Sequence, residues 1–163
     1  MRHTISVLVE NKFGVLSRIA GLFSGRGFNI ESLSVAPTLD SSTSRMTIVT
    51  RGDDAIVEQI TKQLNKLIDV IKVVDFTKDE EFVEREIVLV KLNAEPSNRA
   101  EILRMTEIFR GKVVDVSART YTIEVTGTEG KAGAFIEMVK PLGVIEIARS
   151  GKIAMSRGKK SLG

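Results

Sequence analysis

The stretch Glu10–Glu31, ENKFGVLSRIAGLFSGRGFNIE, constrains the fold more than any other part of the chain. It follows a short alternating run, Thr4–Val9, in which Ile5, Val7 and Val9 share one face and Thr4, Ser6 and Leu8 the other. Asn11, Lys12, Phe13 and Gly14 predict a turn, and an amphipathic helix begins at about Val15. In it Leu16, Ile19, Ala20 and Phe23 recur at i, i+3, i+4 and i+7, which puts them on one helical face. Arg26-Gly27 closes the helix, Gly27 supplying a left-handed stop, and Phe28-Asn29-Ile30 leads into a second strand. The start of such a helix leaves its first N–H groups without partners. Those donors and the helix dipole both favour negative charge there, so the turn suits a carboxylate.

The same alternation of periods continues along the chain. Ile30–Ala36 reads as strand two, ended by Pro37, and Asp40-Ser41-Ser42-Thr43-Ser44 as a polar turn. Arg45–Thr50 is strand three. Asp53 or Asp54 caps a second helix, in which Val57, Ile60, Leu64 and Leu67 keep helical spacing, and Val70–Asp75 is strand four. The charge-dense run Asp75–Glu86, DFTKDEEFVERE, has no clear period and marks the boundary between residues 1–77 and 78–163. The pattern then restarts. A strand at Ile87–Leu92 is followed by a helix opened by Pro96-Ser97 and running to Phe109, with Gly111 as its stop. Strands at Val113–Val116 and Tyr121–Val125 follow, then a helix marked by Ala132, Phe135, Ile136 and Val139, then a strand at Val144–Ala148. Each half is therefore βαββαβ. The fold class is α+β, two ferredoxin-like domains, each a four-stranded antiparallel sheet with two helices on one face. Two helices leave the other face of each sheet, with residues such as Leu8, to be covered. A second subunit is favoured as the cover over the two halves covering each other.

Composition removes several functions. No cysteine is present, which excludes disulfides, thiolate metal sites and cysteine nucleophiles, and the single histidine, His3, sits at a strand edge. No ligand-spaced His, Asp or Glu constellation stands out. Asp79-Glu80-Glu81 reads as a solvated charge run, and no G-K-S/T follows Gly21–Gly27 to make a phosphate loop. Catalysis by this chain alone is not expected. No apolar run of membrane length and no signal peptide is visible, so a cytoplasmic protein without a membrane partner is expected. The net charge is +3, and the five cations Arg149, Lys152, Arg157, Lys159 and Lys160 form a C-terminal run without an acid. Without aromatic interleaving or a helix-turn-helix pattern, nucleic acid is not the expected partner.

What remains is a site for a small zwitterion. Gly14 allows a ligand to approach the backbone, Asn11 offers an amide donor and a carbonyl acceptor, and Asn29 can reach an amino group. On pattern alone the same residues are equally explained by the turn itself: Asn11 shaping it, Gly14 supplying an unusual φ, and Asn29 leaving the helix.

The residues of this region carry a further message. Glu10-Asn11, Gly14, Leu16, Ser17-Arg18, Gly21-Leu22-Phe23-Ser24, Arg26-Gly27 and Asn29-Ile30-Glu31-Ser32-Leu33 resemble the N-terminal signature of the regulatory (small) subunits of acetohydroxyacid synthase, also called acetolactate synthase. The resemblance continues through Ser44–Ile48, Gln59-Ile60 and Lys66-Leu67. In the second half it covers Glu84–Glu86, Thr106–Gly111, Asp115-Val116 and Ala148–Gly151. It implies an N-terminal ACT domain, a module that binds amino acids, paired with a second copy as a homodimer. It also implies a separate catalytic large subunit carrying thiamine diphosphate, magnesium and FAD, with no cofactor on this chain. The small subunit would activate that enzyme and confer feedback inhibition by valine or another branched-chain amino acid. Asn11, Gly14 and Asn29 match the family's effector-binding positions, while Phe28 stands where a tyrosine is usual. The alternative is a free-standing amino-acid sensor that acts on transcription or on another enzyme through its basic tail.

Overall fold

The computed structural model describes residues 1–78 and 81–162. The chain forms two compact units, one comprising Met1–Val83 with Ile153–Gly163, the other Glu84–Lys152.

In the first unit β1 (Arg2–Glu10), α1 (Val15–Gly25), β2 (Ile30–Pro37), β3 (Thr43–Arg51), α2 (Asp54–Asn65) and β4 (Val70–Asp75) follow in order. The sheet order is β2-β3-β1-β4, with every neighbouring pair antiparallel. Alternation in β1 turns Ile5, Val7 and Val9 toward the helices. There they meet Val15, Ile19 and Phe23 of α1 and Val57, Ile60 and Leu64 of α2, while β3 supplies Met46 and Ile48 opposite Val7 and Ile5. The inward stripe of α1 begins one residue earlier than expected. Val15, Ile19 and Phe23 are buried at i, i+4 and i+8, and Leu16, one step around the helix, is 41% exposed. Asp53 caps α2, its carboxylate accepting from Ile56 N–H at 2.9 Å.

In the second unit β5 (Phe82–Asn93), α3 (Arg99–Ile108), β6 (Lys112–Val116), β7 (Thr120–Gly127), α4 (Glu129–Val139) and β8 (Val144–Arg149) repeat the pattern, with sheet order β6-β7-β5-β8. Val88, Val90 and Leu92 of β5 pack with Ile102 of α3 and with Ala132, Phe135 and Val139 of α4. The Phe109 and Phe135 rings meet edge to face, 5.4 Å apart.

Two expectations change. The charge-dense run is not a bare linker. Phe76 is 1% exposed and stacks on Phe82 at 5.3 Å, and residues 82–86 are the first turnless part of β5. Two phenylalanines spaced six apart among charges carry no period, yet they bury as a pair. Asp79 and Glu80, the first two residues of the expected acidic run, lie outside the described residues.

The C-terminal segment differs more. A ninth strand, β9 (Ile153–Ser156), pairs with β5, and Arg157 N–H donates to Glu81 O at 3.0 Å. Residues 153–162 thus group with the first unit. A four-residue strand is too short to show a period. Two of the five cations of the basic run are paired within the chain: Lys152 is buried between Glu84 at 3.1 Å and Glu129 at 3.0 Å, and Arg149 pairs with Glu86, while Arg157 and Lys159 are exposed.

The same segment answers part of the question of what covers the outer sheet face. Leu8 lies opposite Arg45 on one side and Lys72 on the other, so the three side chains share the face turned away from the helices. Arg45 Nη2 donates to Ala154 O at 2.7 Å and Lys72 Nζ to Ser161 O at 3.1 Å, and Leu8, Ala154 and Leu162 are buried. At Leu8 the cover is the chain's own C-terminal segment. Desolvation of the Arg45 guanidinium there pushes its pKa down.

Candidate effector-binding site

The β1–α1 turn is held from two sides. Asn11 N–H donates to Ser42 O at 2.7 Å and its side-chain amide to Ser41 O at 3.1 Å, which ties the turn to the β2–β3 hairpin. Glu10 N–H donates to Asp69 O at 2.8 Å and ties it to the α2–β4 loop. Asp40 stiffens the hairpin by accepting from the Ser42 hydroxyl at 2.6 Å and from the Ser42 N–H at 2.9 Å, bonds that hold its carboxyl below the usual range.

Gly14 occupies the position before α1 with φ +82° and ψ −6°, a left-handed conformation that glycine adopts without a Cβ clash. No side chain caps α1 and no acid lies in its first turn. Gly14 O takes the Arg18 N–H at 3.0 Å, but among the described residues the N–H groups of Leu16 and Ser17 have no carbonyl partner. Two free donors at the positive end of a helix, with no carboxylate of the protein's own, make a place for an anion.

Arg18 was not singled out for a role by the sequence, although the signal was there. It lies four residues after Gly14 and so stands on the same helical face. A Cβ built on Gly14 would come within 3.3 Å of its Nη1. The Arg18 guanidinium pairs with Asp69, and Lys12 with Glu10 at 2.7 Å, a bond that pushes the lysine pKa up.

Of the three candidate residues, Asn11 and Gly14 come together in this turn. Asn29 does not join them in the same chain. Ile30 pairs with Thr50 at the Arg2 end of the sheet, and Pro37 with Ser44 at the Asn11 end. Asn29 therefore lies beyond the far end of α1, eleven residues or about 16 Å along the helix from the turn. Its carbonyl accepts from the Thr50 hydroxyl at 2.8 Å and its side chain is exposed. Beside it Glu31 pairs with Arg2 at 2.8 Å and with Arg51. Burial raises the Glu31 pKa, but the bonds and charges of Arg51 and Arg2 together bring it below the ordinary value.

The sheet order, the two helices on one face and the glycine turn define the first unit as a ferredoxin-like domain of the ACT class. Residues 5–72 match the AHAS small subunit-like ACT domain, and residues 85–158 match the small subunit of acetolactate synthase. The chain is 57% identical over 160 residues to a probable acetolactate synthase small subunit of Archaeoglobus fulgidus, covering 98% of this chain and 99% of that one. It is 52% identical over 161 residues to the acetolactate synthase isozyme 3 small subunit of Escherichia coli, covering 98% of each. The crystal structure of the acetolactate synthase small subunit from Thermotoga maritima superposes with a TM-score of 0.88 at 43% identity, over 98% of this chain and 99% of that one. The chain belongs to the acetolactate synthase small-subunit family and is a non-catalytic subunit with an ACT domain. Among the described residues no helix is long and apolar enough to cross a membrane, and no group of three His, Asp or Glu side chains is placed to hold a metal ion.

Proposed function

We propose that this chain is the regulatory subunit of a cytoplasmic acetolactate synthase: it activates the catalytic large subunit and makes it sensitive to feedback inhibition by valine. The observation that carries the effector half of this reading is the first turn of α1, with its left-handed glycine, two unpaired N–H donors and the Arg18 guanidinium alongside. A branched-chain amino acid fits this chemistry. Its carboxylate would take the free donors of the turn, its amino group would need neutral acceptors such as an asparagine carbonyl, and its isopropyl group an apolar wall. Thiamine diphosphate, magnesium and FAD would belong to the large subunit.

The placement of Asn29 gives the proposal its geometry. Because Asn29 stands at the opposite end of the sheet from Asn11 and Gly14, one chain holds two half-sites rather than one site. A two-fold pairing of ACT domains that sets the Asn11–Gly14 turn of one copy against Asn29 of the other completes both sites. Effector binding would then favour one dimer arrangement, and the large subunit would sense that arrangement by no more than the effector's differential affinity. The rival reading of the basic tail as a contact for nucleic acid loses two of the tail's five cations, since Arg149 and Lys152 are spent on Glu86, Glu84 and Glu129.

A mixing experiment tests the shared site. Gly14→Asp and Asn29→Ala chains should each fail to bind valine in calorimetry. After co-refolding, the mixed dimer contains one site with neither change, so binding should return at up to half the wild-type stoichiometry. Valine binding by the Asn29→Ala chain alone, at wild-type affinity, would place the whole site within one copy and refute the shared arrangement.

A further inference from the structure

Arg18 meets the α2–β4 loop with one nitrogen and the glycine turn with another. Its Nη2 donates to the Asp69 carboxylate, whereas Nη1 is the atom that a Cβ on Gly14 would meet at 3.3 Å. Among the described residues Nη1 has no bond of its own. Asp69 is the anchored member of the pair. Its side chain is 16% exposed against 52% for Arg18, and its carbonyl accepts the Glu10 N–H at 2.8 Å at the end of β1. The other cation of the turn, Lys12, lies against Glu10. An arginine suits this division of labour and a lysine does not. A guanidinium is a rigid planar fork that holds one acceptor on one nitrogen while presenting another, whereas an ammonium is a point charge on a flexible stem. An ion pair as exposed as this one adds little to stability, so the fold does not require it.

We infer that Arg18 is a specificity-determining residue of the effector site, its Nη1 donating to the effector's carboxylate beside the Leu16 and Ser17 N–H groups, and that Asp69 is the positioning residue that turns Nη1 toward Gly14. The inference rests on the effector site proposed above and deepens it: the group selected is the α-carboxylate, and a ligand that keeps the amino and isopropyl groups without it is rejected. Charge alone gives the opposite expectation for Asp69. A carboxylate beside the site repels the ligand's own, so its removal would tighten binding. Positioning works the other way, because an arginine released from Asp69 regains rotamers that the ligand must then order again. The fork geometry decides between them. Nη2 is engaged and Nη1 already faces the turn, so the ligand can take Nη1 without displacing Asp69.

The test is calorimetry of the full chain with L-valine and with L-valinamide, which lacks the carboxylate, on wild type, Arg18→Gln, Arg18→Lys, Asp69→Asn and the double variant Arg18→Gln/Asp69→Asn. Melting temperatures without ligand should stay near wild type. Arg18→Gln should lower valine affinity by about ten- to a hundredfold, the loss of one charged hydrogen bond, and Arg18→Lys by nearly as much. Asp69→Asn should lower it by about fivefold. The preference for valine over valinamide should shrink by the same factors. Because Asp69 acts through Arg18, the double variant should bind valine no more weakly than Arg18→Gln alone. Tighter valine binding by Asp69→Asn would overturn the positioning role. Wild-type valine affinity in Arg18→Gln would overturn the role of Arg18 while leaving the effector site in place, and an equal loss for valine and valinamide would overturn the carboxylate assignment. A wild-type chain that binds none of valine, leucine and isoleucine would overturn the effector-site reading and this inference together.

Discussion

Replacing Gly14 by aspartate perturbs the proposed effector site at its centre, and the structure separates the cost to the fold from the cost to binding. At φ +82° any residue with a Cβ is strained, by roughly 1–2 kcal/mol for most side chains and less for aspartate, which tolerates this region. A carboxylate at the first turn of α1 recovers about 0.3–1 kcal/mol from the helix dipole. The Cβ would sit 3.3 Å from Arg18 Nη1, the movable end of a side chain of opposite charge, so the guanidinium can turn toward the new carboxylate rather than clash with it. The net loss should be about 0.5–1 kcal/mol, a fall in Tm of about 2–8 °C for a domain of this size. Binding should suffer far more, because the free donors of the turn and the nearby cation would be occupied by the protein's own anion, which would also repel the ligand carboxylate. Thermal melts with and without valine provide the assay. At a hundred times its Kd valine should stabilise wild type by about 2.7 kcal/mol and leave the Gly14→Asp chain unmoved. Gly14→Ala, with the same backbone strain and no charge, should melt lower yet keep part of the valine response. A Gly14→Asp chain that gains as much from valine as wild type would refute the placement of the carboxylate at this turn.

Other consequences can be checked in the isolated chain. Phe76→Ala removes a fully buried ring stacked on Phe82 and should cost about 3–5 kcal/mol in urea unfolding of the first unit; a loss under 1 kcal/mol would return the 75–86 region to a mere linker. Leu162→Ala should cost about 2 kcal/mol, the low end for a buried leucine because a terminal segment can relax, and should speed amide exchange in β1 around Leu8; wild-type stability would show that the last residues do not cover that face. The lowered pKa of Glu31 means that its pairs with Arg2 and Arg51 stabilise the fold fully above the ordinary glutamate value. That contribution is lost as pH falls below about 4.3 and through the depressed value. Glu31→Gln should thus be less stable than wild type at pH 7, with the gap closing toward pH 3; a gap independent of pH would remove the ion pairs from the account.

Much of the fold was legible because it rests on period and punctuation. Val57, Ile60 and Leu64 announce α2, Asp53 announces its cap, and Gly27 with φ +74° announces the end of α1. What stayed hidden depends on contacts distant in sequence. Nothing local says that Phe76 stacks on Phe82, that Ile153–Ser156 is a strand, or that Lys152 leaves solvent for Glu84 and Glu129. The candidate site was legible in part for the same reason. Asn11 and Gly14 belong to one turn and could be read together, and Arg18 was readable from helical spacing. The separation of Asn29 from them follows only from the strand order, because the chain must descend α1 before β2 begins.

The central claim is that this chain regulates a partner it cannot replace. The most direct measurement is acetolactate formation from pyruvate by the family's large subunit with its cofactors, assayed alone, with this chain, and with this chain plus valine. No turnover is expected from this chain by itself. Added to the large subunit it should raise the rate severalfold, and valine should then lower that rate in a way that Gly14→Asp abolishes while keeping the stimulation. An unchanged rate on addition of the chain, at concentrations where the two proteins associate, would contradict the account.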